Sequence, residues 1–140
     1  MKYLKNLVLL ILSSFIFCAC PSREEGNNTI IIKNNSNRSI AWQPMFFKIG
    51  EKEEQYNCKF VIGGSVDSQS SGEFYKDRGT WDGELNNDRY LQLTIIDKDS
   101  ALEYFSSECD TFRKYVPVLH RYRLTLEDLE QRNWTVVYPD

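Results

Sequence analysis

Tyr90-Leu91-Gln92-Leu93-Thr94-Ile95-Ile96 sets Leu91, Leu93 and Ile95 at every second position, the period of a strand with one face turned to a core. Its β-branched and aromatic residues suit a pleated surface. Toward the C-terminus, residues 118–124 (VLHRYRL) alternate again, predicting Val118, His120, Tyr122 and Leu124 on one face and Leu119, Arg121 and Arg123 on the other. Thr125 can cap a helix over residues 126–132, with Asp128 at the reciprocal position and Asn133 as its breaker. Residues 134–138 (WTVVY) form a last strand stopped by Pro139. Between these strands, Ser100 and Glu103 hold capping-box spacing and predict a short helix through Phe105, while residues 109–115 carry no decisive period.

Toward the N-terminus, residues 29–33 (TIIIK) and 38–43 (RSIAWQ) read as the two arms of a hairpin. The residues between them, Asn34-Asn35-Ser36-Asn37, tolerate left-handed backbone and cap themselves through their side chains. Residues 45–49 (MFFKI) and 56–62 (YNCKFVI) predict two further strands, separated by the charged stretch at 51–54. Residues 63–72 (GGSVDSQSSG) read as a polar loop on which little can pack, and residues 79–85 as one helical turn followed by a chain turn at 86–88. Many short strands with a few one- or two-turn helices predict a mainly β protein, a two-layer sandwich of antiparallel sheets. An α+β arrangement is the alternative.

The sequence of 140 residues suits one domain. Its first 19 residues are of a different kind. Lys2 and Lys5 precede an uncharged apolar run at residues 7–17 (LVLLILSSFIF), which is a signal-peptide core and too short for the roughly 20 residues that span a bilayer. The run ends in Phe17-Cys18-Ala19-Cys20, which resembles the lipobox of bacterial lipoproteins. That resemblance makes Cys20 the residue that is lipidated and becomes the new N-terminus, although Phe17 stands where leucine is usual. Two or three acyl chains, at about 0.8 kcal/mol per buried CH2, anchor a protein durably where one does not. The expected organisation is a leader at 1–19, a polar tether at 20–28 and one globular domain at 29–140. Glu24 and Glu25 in the tether resemble the surface-export signals of lipoproteins in Bacteroides-like bacteria, and the pair reads equally well as a solvated linker.

Removing residues 1–19 leaves 15 basic and 20 acidic groups, a charge near −5. That balance excludes a nucleic-acid binder that works by neutralising phosphates. The 16 aromatics that remain are too many for a disordered tail. Catalytic material is scarce. His120 is the single histidine, and on a strand face it reads as a half-buried sheet residue, with no nucleophile or orienting acid identified for it. Cys-x-x-Cys pairs, clustered histidines, a phosphate loop and a nucleophile elbow are all absent, so no metal, cofactor or catalytic residue is expected. Glu127, Asp128 and Glu130 favour a helix N-terminus; a glycosidase would need two carboxylates facing across a cleft.

Four features remain. Cys58 and Cys109 are left after the leader and Cys20 are accounted for, and in an exported domain they are expected to form a disulfide. From 111 to 126 the chain has no acid but holds Arg113, Lys114, Arg121 and Arg123, a stripe suited to an anionic glycan or lipid head group, or to pairing with the acidic residues at 51–54. Trp81, between Gly79 and Gly83, is either a sugar platform or a core anchor, and the aromatic content favours the core. Asp99-Ser100-Ala101 resembles an O-glycosylation acceptor of exported proteins, with Ser100 as the attachment residue; the same residues could serve as a helix cap.

Residues 93–100 (LTIIDKDS), 118–129 (VLHRYRLTLEDL) and 133–139 (NWTVVYP) together resemble the ending of small lipoproteins common in Bacteroides-like gut bacteria. The likeness covers about the last 50 residues, with Trp81 and residues 33–36 fitting loosely. It implies an envelope location and carries no activity. The expectation is a non-enzymatic binding or structural domain held to the outer membrane by lipid. Its expected partners are the membrane and either a glycan or an envelope protein. A glycan-binding accessory module is the first alternative and a small hydrolase the last.

Overall fold

The computed structural model of the protein describes residues 26–51, 62–86 and 88–139. Its strands are β1 (Thr29–Asn34), β2 (Ile40–Lys48), β3 (Gly64–Val66), β4 (Ser70–Tyr75), β5 (Arg89–Asp97), β6 (Val118–Leu124) and β7 (Thr135–Tyr138). The helices are α1 (Trp81–Glu84), α2 (Lys98–Glu103), α3 (Cys109–Tyr115) and α4 (Leu126–Gln131). One sheet has the order β4-β1-β7 and the other β3-β2-β5-β6. Among the described residues strand outweighs helix, 43% against 22%, so the mainly β reading holds over α+β. The pair β1–β7 is parallel and the other pairs are antiparallel.

The core lies between the sheets. Leu91, Leu93 and Ile95 from β5 meet Ile40 and Trp42 from β2, Tyr122 and Leu124 from β6, and Ile30, Ile32 and Val136 from the opposite sheet. Each such aliphatic side chain contributes about 1.5–3 kcal/mol on burial. Tyr122 also ties the layers together, its hydroxyl donating to the Val137 carbonyl at 2.7 Å. A second cluster covers the other side of the four-stranded sheet, where Ala41 and Ile96 pack against Ala101 of α2, Phe112 of α3 and Val116.

The hairpin expected between residues 29 and 43 does not form, because β1 and β2 belong to different sheets. The turn is an arch between the layers, held from inside by the fully buried Asn34. Its amide donates to the carbonyls of Arg38 (2.7 Å) and Asp67 (3.0 Å), and its Oδ1 accepts from the Ser36 amide (3.0 Å) and hydroxyl (2.7 Å). These four bonds fill the donor and acceptor capacity of an asparagine side chain.

Residues 45–48 continue β2 instead of starting a new strand, although Pro44 interrupts its donors. The Trp42 carbonyl accepts from Gly63 at the β3 edge, so Pro44, two residues on, turns its nitrogen toward that same edge. β3 pairs only as far as Trp42. A proline is tolerated there because no ladder bond is lost.

The polar stretch at 63–72 is a pair of short strands, contrary to the loop expected. Its glycines are where a large ring packs. A Cβ on Gly64 would lie 2.3 Å from Cζ2 of Trp42, and one on Gly72 would lie 3.3 Å from Cη2. Missing side chains make room for the indole from the neighbouring strand.

Three local boundaries also differ. α2 starts directly after β5, since the Asp97 carboxylate accepts from the amide (2.9 Å) and hydroxyl (2.7 Å) of Ser100 and caps the helix earlier than the Ser100 spacing suggested. Residues 109–115 form α3, with Asp110 in its first turn and Arg113 and Lys114 in its last, matching the helix dipole. In β6 the register shifts, with His120 opposite Ile95 but Val118 opposite Ile96. This bulge carries Leu119 to the main core and moves Val118 to the other face, reversing the alternation expected at the start of the strand. Residues 52–61, including Cys58 and most of the strand expected at 56–62, lie outside the described residues.

The described chain enters the domain at α1. The Trp81 amide donates to the Asn27 carbonyl (2.8 Å) and the Asn27 amide to the Asp82 carboxylate (3.0 Å). Glu84 on the same turn pairs with Lys76 at 2.9 Å and with Arg89, the first residue of β5. The entry point and the start of β5 are thus at one end of the sandwich. α2, and Pro117, whose carbonyl accepts from Asp97, are at the other.

Candidate functional site

At that far end the chain leaves α3 through Val116 and Pro117. Pro117 cannot continue a helix, and Val116 before it is extended, with φ −97° and ψ 104°. The turn lays the last turn of α3 beside β6 and leaves a groove of about 490 Å³ between them, lined by Arg113, Lys114, Tyr115 and Pro117 on one side and Val118 and Arg121 on the other. The bulge in β6 matters here. It turns Val118 outward, 38% exposed, into the groove.

Most of the acid-free stripe legible in the sequence is therefore drawn into one place. Arg121 lies opposite Thr94 on the outer face of the sheet, and Arg123, two residues on, sets its guanidinium 4.1 Å from the Tyr90 ring. Arg113 and Arg123 have further partners of their own. Lys114 sits 4.9 Å from the Tyr115 ring, which in turn stacks on Tyr104 at 4.9 Å. Leu102 and Phe105, both more than 60% exposed, belong to the same end of the domain, in and just after α2.

Trp81 takes the core place that the aromatic content favoured, not that of a sugar platform. The ring is 2% exposed and is enclosed by Phe74 at 4.8 Å, Phe46 at 6.2 Å and the Lys76 ammonium at 5.5 Å. Although Gly79 and Gly83 flank it, the Thr80 hydroxyl caps α1 by accepting from Gly83 and folds the indole inward. Trp42 is buried too, and Trp134 is half-buried.

Ser100 is half-buried within the α2 cap, its hydroxyl donating to Asp97. Burial pushes the Asp97 carboxyl up, but the Ser100 bonds outweigh it and hold the group below the usual carboxylate range. His120 is exposed, against the half-buried place expected, because the bulge sets it at the rim beside Tyr122 (4.4 Å between rings) and Tyr138 (6.5 Å). The hydroxyl of Tyr122 is engaged with Val137. Among the described residues no three metal-ligating side chains cluster. A smaller groove of about 210 Å³, by Asn86, Arg89 and Thr125, has Glu127 as its one carboxylate among the described residues. Cys109 opens α3 and has a partner, while Cys58 and Cys20 lie outside the described residues.

Comparison with protein-family models, with curated proteins and with solved structures finds no match.

Proposed function

We propose that the protein is an envelope lipoprotein, anchored in the outer membrane through acyl chains on Cys20, whose sandwich binds or scaffolds an extracytoplasmic partner without catalysing a reaction. The observation that carries this reading is the leader itself, two lysines, an apolar run of 11 residues and Ala19-Cys20. The polar stretch at 20–28 is the tether of this reading, and of it Asn27 is hydrogen-bonded to Trp81 and Asp82 of the domain. Labelled palmitate should enter the wild-type protein and not Cys20→Ala; equal labelling of both would refute the anchor.

A disulfide between Cys58 and Cys109 belongs to the same reading. Cys109 opens α3 and has a partner, and Cys58 is the other cysteine left once the leader and Cys20 are set aside. The chain-entropy model assigns a loop of about 50 residues roughly 4 kcal/mol. Mass analysis without reduction should find two hydrogens missing, whereas alkylation of both thiols without reductant would reject the bridge.

A further inference from the structure

We infer that the groove between α3 and β6 binds an anionic polysaccharide, one whose sugars carry carboxylate groups. The inference deepens the proposed function, and it rests on the lipid anchor only for the direction in which the groove faces.

Lys114 and Arg121 put positive charge on opposite walls of the groove, with Arg113 beside them. No acid lines it. Val118 (38% exposed) and the part of Tyr115 (47% exposed) left uncovered by Tyr104 and Lys114 present apolar surface. A sugar acid has the matching parts, since its C–H faces lie against apolar or aromatic groups while its carboxylate meets the ammonium or guanidinium. Arg121 stands on β6, the last of the described strands in its sheet, so the groove runs beside a sheet edge where a ligand longer than a single sugar can lie.

A bilayer surface would also attract a basic groove, and Leu102 and Phe105 are exposed nearby. Placement decides against it. Asn27 enters at the end of the sandwich where β5 begins, whereas Val118 and Pro117 lie at the end where β5 finishes. Nine residues of strand separate those ends by roughly 26 Å. A domain tethered at Asn27 turns the groove away from its own membrane.

The test uses the full chain in detergent micelles, with polygalacturonate as the probe, neutral dextran as the uncharged control and phosphatidylglycerol vesicles as the membrane arm. Polygalacturonate should bind, dextran should not, and raising the salt to about 0.5 M should release the complex. Lys114→Glu with Arg121→Glu should weaken binding by about tenfold or more at unchanged melting temperature. Lys33→Glu with Lys48→Glu, a reversal of two exposed lysines elsewhere, should weaken it far less. Equal loss in the two double variants would reduce the effect to net charge and overturn the site. Binding to vesicles but not to polygalacturonate would overturn the ligand, as would no binding at all. The palmitate experiment scores the anchor separately.

Discussion

Gly64 and Trp81 show how single positions set this core. Gly64 leaves no room for even one carbon against Trp42, because the added Cβ would stand 2.3 Å from the indole. Gly64→Ala should therefore cost about 1–3 kcal/mol as overpacking, read as a lower urea midpoint with an unchanged slope; a midpoint equal to wild type would mean that the ring shifts freely. Trp81→Ala empties a site enclosed by Phe46 and Phe74 and should cost about 3–5 kcal/mol. A variant that melts like wild type would return Trp81 to the surface. The sequence pointed two ways at this residue. Flanking glycines signal a turn, and turns lie at surfaces, but the cap formed by Thr80 is what swings the side chain inward.

Among the elements, β5 is the one most fully legible, since its alternation places Leu91, Leu93 and Ile95 in the core where the period puts them. The α4 cap was equally plain. The Thr125 hydroxyl accepts from the Asp128 amide, and the Asp128 carboxylate accepts from Thr125, which holds that carboxyl below the ordinary range. What could not be read was which strands pair. Asn34-Asn35-Ser36-Asn37 is a turn in either topology, and only contacts distant in sequence, such as Asn34 with Asp67, make it an arch. Asn34→Leu should destabilise by about 3 kcal/mol, as buried partners lose their bonds. Asn34→Asp tests the donors alone, because it sets a carboxylate against two carbonyls; it should unfold at nearly the same urea concentration as the leucine variant. Stability close to wild type in the aspartate variant would show that the amide donors contribute little. The bulge in β6 was invisible for a similar reason, as an extra residue in one strand is defined only by its partner.

For the whole molecule, acid should weaken the fold. Glu84 is held below the ordinary carboxylate range first by its bond to Lys76, Asp128 by Thr125, and Asp97 by Ser100 against the cost of burial. A carboxyl with a lowered folded value binds fewer protons folded than unfolded, so its contribution is complete above the unfolded value of about 4 and is lost as pH falls through the folded one. The urea midpoint should hold between pH 7 and about 5 and drop by pH 3. A midpoint that rises toward pH 3 would contradict the sign. On this scale the stripe of cations was legible in the sequence but the groove was not, since Lys114 and Arg121 come together through the Pro117 turn and the β6 register. The proposed anchor and the inferred site together make a sandwich held at one end that offers its cationic groove at the other. The most direct test of that arrangement is fluorescence quenching in proteoliposomes holding a lipid-borne quencher, with the fluorophore attached through Asn28→Cys or Lys114→Cys. Strong quenching from position 28 and almost none from position 114 is predicted, whereas quenching at 114 equal to or above that at 28 would contradict the account.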